Sequence, residues 1–239
     1  MTKAQIKKAI RSLGFDLTRF HPNASPDARL MAMLEAHKVN LVLDVGANIG
    51  QFGKMLREAR YRGRIVSFEP LSTARIKLIS NSQGDSMWEV APQAAIGGED
   101  GNIEMNIAKN SVSSSALDML DAHSSAAPGS LYIGTELVPL RRLDSIASKY
   151  LQMDSTAFLK IDTQGYEDRV LSGATELLRS IIGLQLELSL VPLYSGQRMF
   201  DDLIEDLKIA GFEIWGISPA FVNPNTGRLL QVDATFFRA

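Results

Sequence analysis

The chain has 239 residues, 45% of them hydrophobic, with 25 Lys and Arg against 27 Asp and Glu, a formal net charge of -2 and no cysteine. This length and apolar content support one large α/β domain and exclude a disordered chain. The nearly balanced, interspersed charge excludes the basic footprint of a nucleic-acid binder, and the missing thiols exclude disulfides, thiolate zinc sites and cysteine nucleophiles.

Helical apolar spacing covers residues 2–13 and 26–38, the second stretch opened by Ser25 as cap and Pro26 at the first helical position. Residues 1–38 are expected to be helices packed on a domain spanning 39–239. That domain begins with the apolar run Leu41–Val45, a turn at Gly46 and a helical pattern from about Asn48 to Arg60. Arg64–Phe68 repeats the motif, stops at Glu69-Pro70 and leads into a helix ending near Ile79; Trp88–Ile96 reads as a third strand. Strict alternation lapses over 101–143, where β-like pieces at Ile103–Ile107 and Leu131–Leu140 flank a Ser-rich stretch, so an inserted hairpin and loop are expected between the third and fourth strands. Asn110–Ser130 has too little apolar periodicity for a packed element, and its expected place is the border of the ligand crevice.

Alternation resumes with a strand at Phe158–Asp162, a helix over Glu167–Arg179, a strand at Leu184–Leu190 and a helix over Asp201–Ala210. Gly211–Ile217 and Leu229–Phe237 close the pattern as an antiparallel pair. The expected architecture is a doubly wound, mostly parallel Rossmann-like sheet with helices on both faces, which binds ligands beyond the carboxyl ends of its strands. No stretch approaches the ~18 apolar residues of a membrane span, so a cytoplasmic protein is the expectation.

Three groups at strand ends carry chemistry. Asp44-Val45-Gly46-Ala47-Asn48-Ile49-Gly50 gives a sharp strand-to-helix turn in which the glycines permit close backbone approach and Asn48 tolerates a left-handed conformation. Its G-x-x-x-G spacing departs from the G-x-G-x-x-G of dinucleotide enzymes, while Asp44 suits a cationic sulfonium ligand carrying an amino group. Glu69 lies 23 residues past Gly46, near the ~20-residue offset at which a carboxylate takes ribose hydroxyls. Phe52 and Pro70 flank the same two strand ends.

Asp162 ends a central strand, and Glu187 sits inside an apolar one, where an unpaired charge is costly. Each could simply pair with a cation such as Lys160. The functional readings are a general base, or a pair of oxygen ligands for a hard cation such as Mg²⁺. His123 is the alternative base because histidine titrates near neutrality, against its reading as a solvated loop residue; His21 and His37 read as surface or interhelical residues.

The runs DVGANIGQF, SFEP, VPLRRLDSI, FLKIDTQGYEDRVLSGA and LQLELSLVPLYSG, in that order over residues 40 to 217, resemble the FkbM-type family of S-adenosylmethionine-dependent methyltransferases. The resemblance implies a class I methyltransferase sheet, S-adenosylmethionine as cofactor, and hydroxyl acceptors on sugars, glycolipids or polyketide-type natural products. It maps the cofactor positions onto Asp44, Gly46, Asn48, Gly50 and Glu69, with Ala47 inside the same turn, and the acidic position of the family's K-I-D-x-x-G-x-E run onto Asp162. Where nitrogen-directed methyltransferases commonly carry Asn/Asp-Pro-Pro-aromatic, this chain has Asp162-Thr163-Gln164-Gly165, which favours oxygen. The alternatives are a nicotinamide-dependent dehydrogenase, since Glu69 would fit its ribose equally well, and a non-catalytic nucleotide-binding module. The amphipathic stretch Lys3–Leu13 could seat a glycolipid or membrane-surface substrate, packing on the domain being its more ordinary use.

Overall fold

Side-chain alternation along the strands decides where everything else sits. The computed structural model describes residues 2–238, so Met1 and Ala239, which end the two expected segments, lie outside it. The elements are α1 (Lys3–Ser12), α2 (Pro26–Ala36), β1 (Leu41–Val45), α3 (Gln51–Glu58), β2 (Arg64–Phe68), α4 (Ser72–Ser82), β3 (Trp88–Val90), β4 (Ala95–Ile96), β5 (Gly101–Ala108), α5 (Asp121–Ala126), β6 (Tyr132–Arg141), α6 (Leu143–Ile146), β7 (Ala157–Ile161), α7 (Glu167–Ser172), α8 (Thr175–Ser180), β8 (Gly183–Ser189), α9 (Phe200–Ile209), β9 (Phe212–Val222) and β10 (Leu229–Arg238). Seven strands form one sheet in the order β3-β2-β1-β7-β8-β10-β9. The first five are parallel and β10 runs antiparallel to both of its neighbours, as the sequence leads one to expect.

One face of this sheet packs Leu43, Leu159, Ile161 and Leu186 against the apolar sides of α7, α8 and α9. The other sets Val42, Ile65, Phe158 and Phe237 against Leu34 of α2, Leu56 of α3 and Leu78 of α4. Because side chains alternate with period two, the residues two places beyond that second set share its face. The strand register therefore lines up Ser67, Asp44, Lys160, Gln185 and Thr235 across five strands. A second row follows toward the carboxyl ends: Glu187 lies opposite Asp233, which lies opposite Ser218. Polar residues in strands otherwise apolar on both faces thus converge on one end of one face.

Three expectations need correction. Trp88–Ile96 is not one strand: Pro92 lacks an N–H for a ladder, so β3 ends at Val90 beside β2 and β4 joins a separate three-stranded sheet, β4-β6-β5. That small sheet contains the expected hairpin. The helix over 167–179 is two helices: α7 ends with Gly173 as its C-cap, and Asp144 accepts from the Glu176 and Leu177 amides to start α8 afresh. Asn110–Ser130 does contain a packed element, since α5 buries His123 and Ala126, and Ala126 joins Leu193, Tyr194 and Leu230 in a cluster. Its packing partners lie some seventy to a hundred residues away along the chain, where local periodicity cannot reveal them.

Of the two N-terminal helices, α2 packs on the sheet. Ser25 caps it, accepting from the Ala28 amide at 3.3 Å, and Ala28, Leu30, Met33 and Leu34 are buried. In the segment before it, with α1, Ile6, Leu13, Phe15, Leu17 and Phe20 stay in solvent and Ile10 is half-buried.

Candidate active site

The turn after β1 is built around a carboxylate. Gly46 and Ala47 donate their amides to the Phe68 carbonyl at 3.1 and 3.0 Å, which ties the turn to the end of β2. Glu69, one residue on, accepts from the Asn48 amide through Oε2 and from the Leu71 amide through Oε1, each at 2.8 Å. A carboxylate has about four lone-pair sites, so each oxygen keeps one for a ligand. Burial lifts this carboxyl to about 7, with the two amides opposing the rise and the charges of Asp44 and Glu136 adding to it.

Gly46 has φ +79°, and a Cβ there would lie 1.8 Å from the Asp162 carbonyl oxygen. Only glycine fits the close approach of the β1 and β7 ends. Asn48 takes φ +48°, and its side chain meets the Ser111 hydroxyl of the insertion at 3.3 to 3.4 Å.

A cavity of about 460 Å³ opens here. Gly46, Ala47, Asn48, Phe52, Glu69 and Pro70 of the expected cofactor set line it. Two members of that set do not. Gly50 is the left-handed N-cap of α3, where a Cβ would lie 2.9 Å from Leu78 and 3.0 Å from Trp88, so it serves the helix start. Asp44 is fully buried beneath the turn: Oδ2 accepts from the Ser67 hydroxyl at 3.1 Å, Ser67 accepts in turn from the Trp88 indole at 3.0 Å, and Oδ1 has no partner.

Asp162 and Glu187 line the same cavity. Lys160 donates to Asp162 Oδ2 at 2.9 Å, as the pairing alternative anticipated, and stands 5.4 Å from the centre of the Phe52 ring. Burial opposes the Lys160 charge, but Asp162 and Asp44 outweigh it and hold the ammonium above its ordinary value. The Gln164 amide NH₂ donates to Asp162 Oδ1 and to Glu187 Oε2, both at 2.7 Å, so one neutral donor bridges the oxygens that a shared cation would take. Among the described residues, no cluster of three or more His, Asp or Glu is arranged to hold a metal ion. Tyr194 fixes the amide by donating to Gln164 Oε1 at 2.8 Å, and the Gln231 amide donates to Glu187 at 2.9 Å.

Asp233 is a site residue that sequence reasoning missed. It lines the cavity, and burial together with the Asp162 charge lifts its carboxyl to about 6. Burial, with the Asp162 and Asp233 charges, also pushes Glu187 well above the carboxylate range. The signal was present, since Asp233 interrupts the apolar run Leu229–Phe237 just as Glu187 interrupts Leu184–Leu190. Ser111 and Val112 line the cavity from the insertion, which was expected to border the crevice, while Leu30 and Met33 of α2 and the β9 segment Gly216–Ala220, for which the sequence held no signal, face the same space.

His123 lies elsewhere. It is buried, Nδ1 stands 3.1 Å from the Ser130 hydroxyl, and its ring packs against Tyr194 and Phe221. Burial holds it below its ordinary pKa, which makes it a neutral packing residue rather than a solvated loop histidine. His37 stacks on Phe237, with ring centroids 3.8 Å apart.

The donor set fits a cationic nucleoside cofactor. Asp44, Asp162, Glu187 and Asp233 outnumber Lys160 on this sheet face, one buried Asp44 oxygen lacks a partner, and Glu69 is held with free lone pairs beside a turn that admits close approach. The methyltransferase FkbM domain model matches residues 44–214. No curated protein matches the chain. Among solved structures it is similar to Sp1610 of Streptococcus pneumoniae in complex with S-adenosyl-L-methionine, at 13% identity over 87% of this chain and 72% of that one, with a TM-score of 0.48. Two further likenesses are Aeropyrum pernix fibrillarin with natively bound S-adenosyl-L-methionine (10% identity, 82% and 66% coverage, TM-score 0.47) and TehB from Haemophilus influenzae (10%, 88% and 62%, 0.47). This chain spans less than two thirds of the length of the last two.

Proposed function

The chain belongs to the methyltransferase FkbM domain family, a family of S-adenosylmethionine-dependent methyltransferases, and on that premise we propose that it methylates a hydroxyl oxygen of a sugar, glycolipid or polyketide-type acceptor. The observation that carries this reading is that one cavity is shared by the turn braced on Glu69 and by the carboxylates Asp162, Glu187 and Asp233.

S-adenosylmethionine supplies an electrophilic methyl group on a cationic sulfonium. Glu69 would hold its ribose hydroxyls, the Gly46–Asn48 backbone would lie along it, Pro70 and Phe52 would wall it, and the carboxylates of the sheet face would favour its charge. Methyl transfer to a hydroxyl needs alignment of the oxygen and removal of its proton. Asp162 takes that proton in this reading: its side chain is 31% exposed while its partner Lys160 is nearly covered, and Lys160 and Gln164 fix the carboxylate without using all its lone pairs. Glu187 orients the Gln164 amide. Asp233 adds negative potential along the same wall.

With Gln164 bridging the two carboxylates, the reading is direct carboxylate assistance without Mg²⁺. The test is transfer from methyl-labelled S-adenosylmethionine to paired acceptors, glycosides and polyketide alcohols against the matching amines, with a chelator present and absent. O-methyl ethers formed equally well under chelation are the expected products. Methylamines, or activity that a chelator abolishes and Mg²⁺ restores, would overturn oxygen specificity or the metal-free assignment respectively.

A further inference from the structure

We propose that residues 2–20 dock on the surface of an anionic phospholipid bilayer. The inference rests on this exposed segment alone and does not depend on the acceptor chemistry above.

In α1 and its C-cap, Ile6, Ile10 and Leu13 recur at four- and three-residue spacing along one side of the helix, while Lys7, Lys8 and Arg11 flank it or lie on the other. The chain beyond the helix adds Phe15, Leu17 and Phe20. This apolar surface joins no core cluster: Ile6 is 40% exposed, Leu13 74%, Phe15 71%, Leu17 56% and Phe20 62%, and Ile10 is half-buried. Among the described residues, no hydrogen bond or ion pair joins residues 2–20 to the rest of the chain. The helix is nonetheless well formed, with Thr2 and Gln5 in a reciprocal capping box and Arg11 closing a two-pronged pair with Asp16 at 3.0 and 3.2 Å. An amphipathic helix held by its own caps and offering its apolar side to water calls for a partner outside the domain.

Charge identifies that partner. Residues 2–20 carry five basic side chains against the single acidic Asp16, in a chain whose formal net charge is -2. A second copy of the segment would bring like charges together, and a nucleic acid would leave the apolar stripe in water. An anionic bilayer satisfies both faces, with the stripe sunk into the headgroup boundary and the lysines and arginines among the phosphates. Five residues join the segment to α2, whose Pro26 and Asp27 line the cavity, so docking would hold the cavity near the lipid surface.

The test is co-sedimentation of the full chain with vesicles of phosphatidylcholine alone and of phosphatidylcholine mixed with phosphatidylglycerol, at low and high salt. Binding to the mixed vesicles alone, weakened by salt, is expected. The double variant Lys7→Gln/Lys8→Gln should weaken partitioning about thirtyfold, from the usual contribution of two basic residues near an anionic surface, and Leu13→Ser/Phe15→Ser should abolish it. These residues are exposed or outside the core, so unchanged melting of both variants confirms that the fold is intact. Equal binding to both vesicle types, no binding to either, or a soluble dimer that Leu13→Ser/Phe15→Ser dissociates would each overturn the proposal.

Discussion

Glu69 is held by the backbone of the loop it serves. Its two amide partners mean that Glu69→Ala would strip the acceptor from the buried Leu71 N–H, at about 1 to 3 kcal/mol, and from the half-buried Asn48 N–H as well, and confuse folding with binding. Glu69→Gln keeps one acceptor oxygen and is the cleaner probe. At Asp162 the asparagine variant is nearly isosteric but cannot take a proton. Asp162→Asn is expected to bind S-adenosylmethionine normally and to lose turnover on the order of a hundredfold to ten-thousandfold, the usual worth of a positioned general base; single-turnover kinetics with cofactor saturating would check this. Near-normal turnover would assign the proton to Asp233 or Glu187. At this scale much of the site was legible. Gly46, Asn48 and Glu69 announce themselves by local backbone demands at strand ends, and Asp162 and Glu187 by charge at the end of, or within, an apolar strand. Asp233 carried the same signal but sat in a strand read only as closing the sheet. Lys160 was visible as a counter-ion, and its place between Asp44 and Asp162 follows from register rather than from any motif.

At the scale of elements, strands and long helices were legible because their periodicity is local, whereas the walls that α2 and β9 give the cavity, and the contacts that hold the insertion over it, were not. Val112 shows why. It belongs to a Ser-rich stretch without periodic apolar residues, yet the Asn48–Ser111 contact and the Ser115 hydroxyl, which donates to the Gln164 carbonyl at 2.7 Å, pin that stretch over the site. Its position is decided by partners far away in sequence. Val112 is 48% exposed and lines the cavity, so Val112→Asp should leave the fold intact and cofactor affinity within about twofold. It should raise the acceptor KM about tenfold or more, the scale of a misfitted pocket contact. Steady-state kinetics with the acceptor varied would show it; an unchanged KM would place the acceptor against α2 and β9 instead. Replacing the whole of 113–126 would be a poorer test, because Ser113, Ser115, His123 and Ala126 are buried.

At the scale of the whole molecule, carboxylates crowded at one end of the sheet give the protein an unusual pH dependence. Glu69 and Glu167 are lifted to about 7 and Asp233 to about 6 by burial, and Asp44 and Glu187 are raised as well. A carboxyl whose folded pKa exceeds its unfolded one binds more protons when folded, so its contribution to stability is present at low pH and lost as pH rises through the folded value. Without cofactor, the melting temperature should therefore fall between about pH 4.5 and pH 7. Calorimetric or dichroism melts across that window would check it, and a steady rise in melting temperature would contradict it. A cationic cofactor should offset the loss, stabilising the protein more at pH 7.5 than at pH 5.5 by mass action on the folded state.

The central claim is that Glu69 and the Gly46–Asn48 turn receive the nucleoside of S-adenosylmethionine, and titration calorimetry tests it most directly. The wild-type chain should bind S-adenosylmethionine and S-adenosylhomocysteine at one site and not bind NAD. Affinity should increase as pH rises through about 7, where Glu69 ionises. Glu69→Gln should weaken binding about tenfold to a hundredfold, the worth of charge-assisted hydrogen bonds, and flatten that pH dependence, the nearby charges of Asp44 and Glu136 being unchanged. Tight binding of NAD, or S-adenosylmethionine affinity unchanged in a folded Glu69→Gln variant, would contradict the account.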